Sequence, residues 1–167
     1  MPEGPFEFKR FNNIGPLTRP TKEELKNNWQ RCPKSGKANE ICQEIKVGSI
    51  AILENQKFFA KCDTLVDINS GQCFKVAEQV VENVGGVTAL RVGDGDHFWI
   101  EYNGRHYDAE VPSGVDEFRK LPFFGRADDY DMMEHVRLAK PDGVDYPVER
   151  VEDTIVDVTD KIKSNTL

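Results

Sequence analysis

The stretch His97–Glu110, HFWIEYNGRHYDAE, constrains this chain more than any other. Asn103-Gly104 is the preferred dipeptide of a two-residue type I′ turn, because both central positions need positive φ. Apolar and polar residues alternate around it, which is the period of a strand. With a two-residue loop Tyr102 faces Arg105. Ile100 then pairs with Tyr107, Trp99 with Asp108 and Phe98 with Ala109. Successive side chains of a strand point to opposite faces. One face carries Phe98, Ile100, Tyr102, Tyr107 and Ala109, and reads as the packing face. The other carries His97, Trp99, Glu101, His106, Asp108 and Glu110.

Helical patterns surround the hairpin. SGQCFKVAEQVVENVGG (70–86) puts Cys73, Val76, Ala77, Val80, Val81 and Val84 at helical spacing. Gly85-Gly86 stops it, and Ser70 or Asn69 can cap its start. Valine is a modest helix former, so packing must hold this element, as it does in a central buried helix. VTALRV (87–92) reads as a strand. Upstream, Thr21-x-x-Glu24 has the capping-box form and opens a helix, TKEELKNNWQR, which Pro33, Ser35 and Gly36 end. A second helix is expected over 38–46, with Ile41 and Ile45 inward. Residues 49–62 fit a helix or two strands, with helix preferred. Downstream we expect a short helix over 114–120, a tight apolar LPFF segment, an acidic turn-rich stretch over 127–145 and a strand near 154–158. The expected fold class is α+β, with N-terminal helices packed on a small antiparallel sheet. The expected organisation is an extended arm (1–20), a single domain (21–160) and a frayed tail (161–167).

A chain of 167 residues can bury one sizeable core, which suits one domain. No apolar run approaches the length of a membrane span, and MPEGPFEFKR lacks the apolar stretch of a signal peptide. The net charge of -7 argues against nucleic-acid binding, which needs a basic footprint. The charge is uneven: residues 1–46 carry a net +3 and residues 47–167 a net -10. The acidic part predicts a basic or amine-bearing protein or peptide partner. Cys32, Cys42, Cys62 and Cys73 form no C-x-x-C pair, so a zinc ribbon or thioredoxin-like site has little support. Four reduced thiols in a cytoplasmic protein are the expectation.

One of the four thiols stands apart. Cys73 falls near the start of its expected helix, where free amides and the positive dipole end favour a thiolate. His97 and Asp108 fall on one hairpin face, in adjacent strands and diagonally offset. Such neighbours are about 7–8 Å apart at the backbone, within reach of longer side chains. An Asp can then hold one His nitrogen while the other faces a nucleophile. The plain alternative is that this face is a solvated polar surface. A metal site from His97, His106, Asp108 and Asp94 or Asp96 is a chemical rival, but the two His are poorly convergent and His135 is remote; no metal or cofactor is expected.

The order SGQC at a helix start, then DHFWIEYNGRHYDAE, resembles the transglutaminase-like branch of the papain-like cysteine-enzyme superfamily. The resemblance covers roughly residues 65–112 and implies a papain-like core. It matches Cys73 to the nucleophile, His97 to the general base and Asp108 to the orienting carboxylate, with Phe98 and Trp99 matching the aromatic stretch after the His. GQC before an apolar helix is also similar to the amidase module of phage and bacterial wall hydrolases, in which the His comes much later. The expected activity is hydrolysis or acyl transfer at an amide bond (peptidase, deamidase or transglutaminase-like). The Cys73 amide and the Gln72 side chain are candidate oxyanion donors, and Trp99 a candidate cleft wall. The alternative is a non-catalytic binding or inhibitory protein on the same scaffold, of the kind a phage or bacterium uses as an accessory.

Overall fold

The computed structural model describes residues 29–55, 64–93, 95–126 and 151–166. The expected arm, most of the helix from Thr21, the acidic stretch 127–145, Cys62, Asp94 and His135 lie outside these residues. Residues 29–31, the expected end of that helix, are irregular.

The first described helix, α1, spans Gly36–Glu54. It runs from two residues before the expected 38–46 helix straight through Gly48, so the two-strand alternative fails over 49–54. Ile41, Ile45 and Ile52 recur on its buried face. A glycine normally weakens a helix interior. Here Gly48 admits a neighbouring helix: a Cβ at this position would lie 3.1 Å from Cβ of Gln79. Gln79 then reaches Glu44 of α1, with Nε2 donating to Oε1 at 2.8 Å.

A continuous helical run follows in three parts: α2 (Leu65–Asp67), a π turn (Ile68–Gln72) and α3 (Cys73–Asn83). Thr64 caps it through a reciprocal capping box with Asp67, both bonds 3.1 Å. The expected caps, Asn69 and Ser70, are therefore interior. Ser70 Oγ instead bonds back to the Val66 carbonyl at 2.9 Å, as a mid-helix serine does.

The sheet is antiparallel with order β3-β2-β1-β4: β1 is Thr88–Val92, β2 His97–Tyr102, β3 Arg105–Tyr107 and β4 Val156–Asp157. The hairpin register pairs Ile100 with Tyr107 and Tyr102 with Arg105. Asn103 and Gly104 both have positive φ, 53° and 82°. The fold is thus mixed helix and small antiparallel sheet.

Both faces of the hairpin are buried. Ile100, Tyr107 and Ala109 join the main core with α1 and α3. Trp99 lies in a second cluster with Val92, Leu121 and Phe124. The cover is the segment after the hairpin, a 3-10 turn (Phe118–Lys120) and α4 (Pro122–Arg126), joined by Val151. The LPFF run is therefore a lid on the second face, which is why that face is not a solvated polar surface.

The ends are tied down. Trp29 Nε1 donates to the Ala109 carbonyl at 3.2 Å, and Gln30 accepts from Ser113. Cys32 and Cys42 form a disulfide that fastens this segment to α1, which corrects the expectation of four reduced thiols. Val151–Thr154 forms a further 3-10 turn before β4. The last helix, α5 (Thr159–Lys163), extends into the segment expected to fray, because Ile162 is buried in the main core. Among the described residues no helix is long and apolar enough to cross a membrane.

Candidate active site

The start of β2, the residue after β3 and the junction of the π turn with α3 meet at one point. They contribute His97, Asp108 and Cys73.

Asp108 follows the last paired residue of β3. Its Oδ1 accepts from the amides of Glu110 (3.0 Å) and Val111 (3.1 Å). This is the local turn that aspartate favours. Its Oδ2 is left for His97 Nε2, 3.0 Å away. Both side chains are buried, His97 at 0% exposure and Asp108 at 3%.

The imidazole is also fixed on its faces. Phe123 stacks on it at 4.4 Å between centroids and 12° between planes, and Trp99 at 5.8 Å and 17°. Nδ1, the second ring nitrogen, makes no hydrogen bond of normal geometry. Burial pushes the ring toward its neutral form. The Asp108 hydrogen bond and the adjacent Cys73 sulfur outweigh that, and the pKa rises to about 9. Cys73 is close enough to favour the imidazolium, yet the contact is looser than a formed hydrogen bond.

Cys73 is buried and begins α3. It does not occupy a free helix end, because the helical run starts at Thr64. The expected helix-end field is therefore not present at Cys73. The π turn directly precedes Cys73, and Gln72 departs from helical geometry with φ -120° and ψ 10°. Single π turns in α-helices concentrate at functional sites. Gln72 is half-buried at this junction and does not line the crevice beside Cys73.

That crevice is lined by Asn69, Cys73, Trp99, Tyr107 and Asp108 among apolar neighbours, and has no room for a water molecule. Trp99 is wholly buried, not the wall of an open cleft. Its Nε1 donates to His106 Nδ1 at 3.0 Å, which leaves the His106 proton on Nε2 in the neutral ring. Burial holds the His106 pKa below its ordinary value. His106 therefore supports Trp99 instead of standing on the surface.

Two imidazole nitrogens of the rival metal site are engaged elsewhere. His97 Nε2 is engaged by Asp108, and His106 Nδ1 accepts from an indole N–H. Among the described residues no group of three or more His, Cys, Asp or Glu side chains is gathered for a metal.

Sequence reasoning missed a second polar network. Asn69 Nδ2 donates to Glu110 Oε1 at 3.0 Å, and Arg126 grips both oxygens of Glu110. Asn69 precedes Cys73 by four residues, and that spacing on one helix face was its only visible signal. The Glu110–Arg126 pair spans sixteen positions and carries none.

No family model, curated protein or solved structure matches the chain.

Proposed function

We propose that this chain is a cysteine enzyme acting on an amide bond: a peptidase, deamidase or transglutaminase-like acyl transferase on a small papain-like core. Cys73 is the nucleophile, His97 the base and then the acid, and Asp108 the carboxylate that orients the ring. The observation that carries this reading is the sealed His97–Asp108 pair. Its second nitrogen lacks a normal partner beside a buried thiol.

The chemistry follows from the parts. His97 Nδ1 holds the proton taken from Cys73, and the thiolate sulfur attacks the substrate carbonyl carbon. The C–N bond breaks as the leaving nitrogen takes that proton from His97. Water or an acceptor amine then releases the acyl group from sulfur, with His97 as base. The net -10 of residues 47–167 favours a basic or amine-bearing protein or peptide as substrate.

One observation favours a second reading, a binding or inhibitory protein without turnover: the crevice is closed. An enzyme must therefore open a path to Cys73, and α4 covers the imidazole, with Phe123 stacked on His97. The Cys32–Cys42 disulfide favours an oxidising setting.

Alkylation by iodoacetamide at pH 6, read by mass spectrometry, tests the enzyme reading. Modification of Cys73 ahead of Cys62, and slower modification in His97→Ala, is the expected result. Equal slow labelling of both cysteines, indifferent to His97, contradicts it.

A further inference from the structure

Two buried polar atoms near Cys73 have no hydrogen-bond partner: His97 Nδ1 and Asn69 Oδ1. The first is used by the reading above, and the second is not. Asn69 is 1% exposed and lines the crevice with Cys73 one helical turn away. A buried amide oxygen without a partner is rare, since such groups are almost always satisfied.

The orientation of this amide is fixed by its neighbours. A carboxylate can only accept, so the Asn69 Nδ2 must be the end that faces Glu110. Glu110 is itself clamped by two bonds from Arg126, Nη1 to Oε2 at 3.0 Å and Nη2 to Oε1. Both side chains of that pair are mostly buried. The amide cannot turn over without placing its oxygen against a carboxylate. Asn69 therefore presents an acceptor, not a donor, and cannot stabilise an oxyanion.

We infer that Asn69 is the specificity-determining residue of the site. It accepts an N–H from the substrate's amide group, so the site takes primary and secondary carboxamides over esters and fully substituted amides. This rests on the reading of Cys73 as nucleophile. A site built around a buried acceptor discriminates strongly, because a substrate without the donor leaves the acceptor unpaired in a dry environment.

The probes are iodoacetamide, which carries an N–H two bonds from the carbon attacked, and N,N-dimethyl-iodoacetamide, which carries none. In each, the Cys73 sulfur displaces iodide. The ratio of the two rates at Cys73 is divided by the same ratio for glutathione. The expected value for the native protein is about tenfold or more. Asn69→Ala brings it close to one. Glu110→Gln also lowers it, because a glutamine can donate to Asn69 and let its amide turn, while keeping the volume of the site. A native ratio equal to that of glutathione overturns the inference, and so does a high ratio that persists in Asn69→Ala, which marks exclusion by size. A Cys73 rate that depends on His97 but ignores the N–H sinks this inference alone. A rate indifferent to His97 sinks the catalytic reading and this inference with it.

Discussion

His97 Nε2 and Asp108 Oδ2 meet at 3.0 Å with neither side chain open to solvent. The other Asp108 oxygen holds the amides of Glu110 and Val111, so one carboxylate fixes both an imidazole and the turn after β3. The pair is therefore a structural unit as well as a chemical one.

Asp108→Ala removes both functions and leaves a buried ring without its counter-charge. Breaking a buried pair from one side costs about 3 kcal/mol or more. Asp108→Asn retains an oxygen for the two amides and loses less. Urea denaturation of the two variants checks this. An Asp108→Ala change smaller than about 1 kcal/mol contradicts the assignment of the pair as a buried anchor.

Stability should depend on pH through His97. Its folded pKa, about 9, lies above the ordinary 6.5 of the unfolded chain. The folded state therefore binds the extra proton, and the stabilisation is complete below about pH 6.5. It is lost as pH rises from there through about 9, by an amount on the order of 3 kcal/mol. The melting temperature of the native protein should fall over that window, and that of His97→Gln should not follow it. Parallel pH profiles of the two proteins would refute the linkage.

Much of the site was legible because the hairpin announces itself. Asn103-Gly104 sets the register, and the register brings His97 and Asp108 onto one face. What could not be read was the burial of that face. LPFF is visibly apolar, but nothing local says that it returns to cover His97 and Trp99. The helix start was misplaced for a related reason. Asn69 and Ser70 are good caps by type, yet Thr64 with Asp67 forms a complete capping box one turn earlier. The disulfide was hidden because Cys32 and Cys42 meet only once α1 has formed.

Reduction should loosen the clasp at the Asp108 turn. The Cys32–Cys42 bridge closes a short loop, which is worth about 3 kcal/mol by loop-entropy arguments. The segment it fastens carries Trp29, bonded to Ala109 beside Asp108. Dithiothreitol, or the double substitution Cys32→Ser and Cys42→Ser, should lower the melting temperature by several degrees. Hydrogen exchange of the Glu110 and Val111 amides should rise with it. An unchanged melting temperature and unchanged exchange would show that the clasp does not depend on the bridge.

Two glycines separate backbone strain from crowding. Gly86 has φ +81° with open space where a Cβ would go, so Gly86→Ala costs strain alone, about 1 kcal/mol. Gly114 has φ +88°, and its Cβ would lie 2.7 Å from the Tyr107 ring. Gly114→Ala should therefore cost clearly more, about 2 kcal/mol or beyond. Equal losses in chemical denaturation would mean that Tyr107 does not sit against the 111–114 turn.

The coupling of Cys73 to His97 is the central claim, and an NMR titration of the His97 ring in native protein, Cys73→Ala and Asp108→Asn tests it most directly. The ring should stay protonated through neutral pH in the native protein, with a midpoint near 9. That midpoint should fall in both variants. A native midpoint at the ordinary value near 6.5, unmoved by removal of the Cys73 sulfur, would contradict the account.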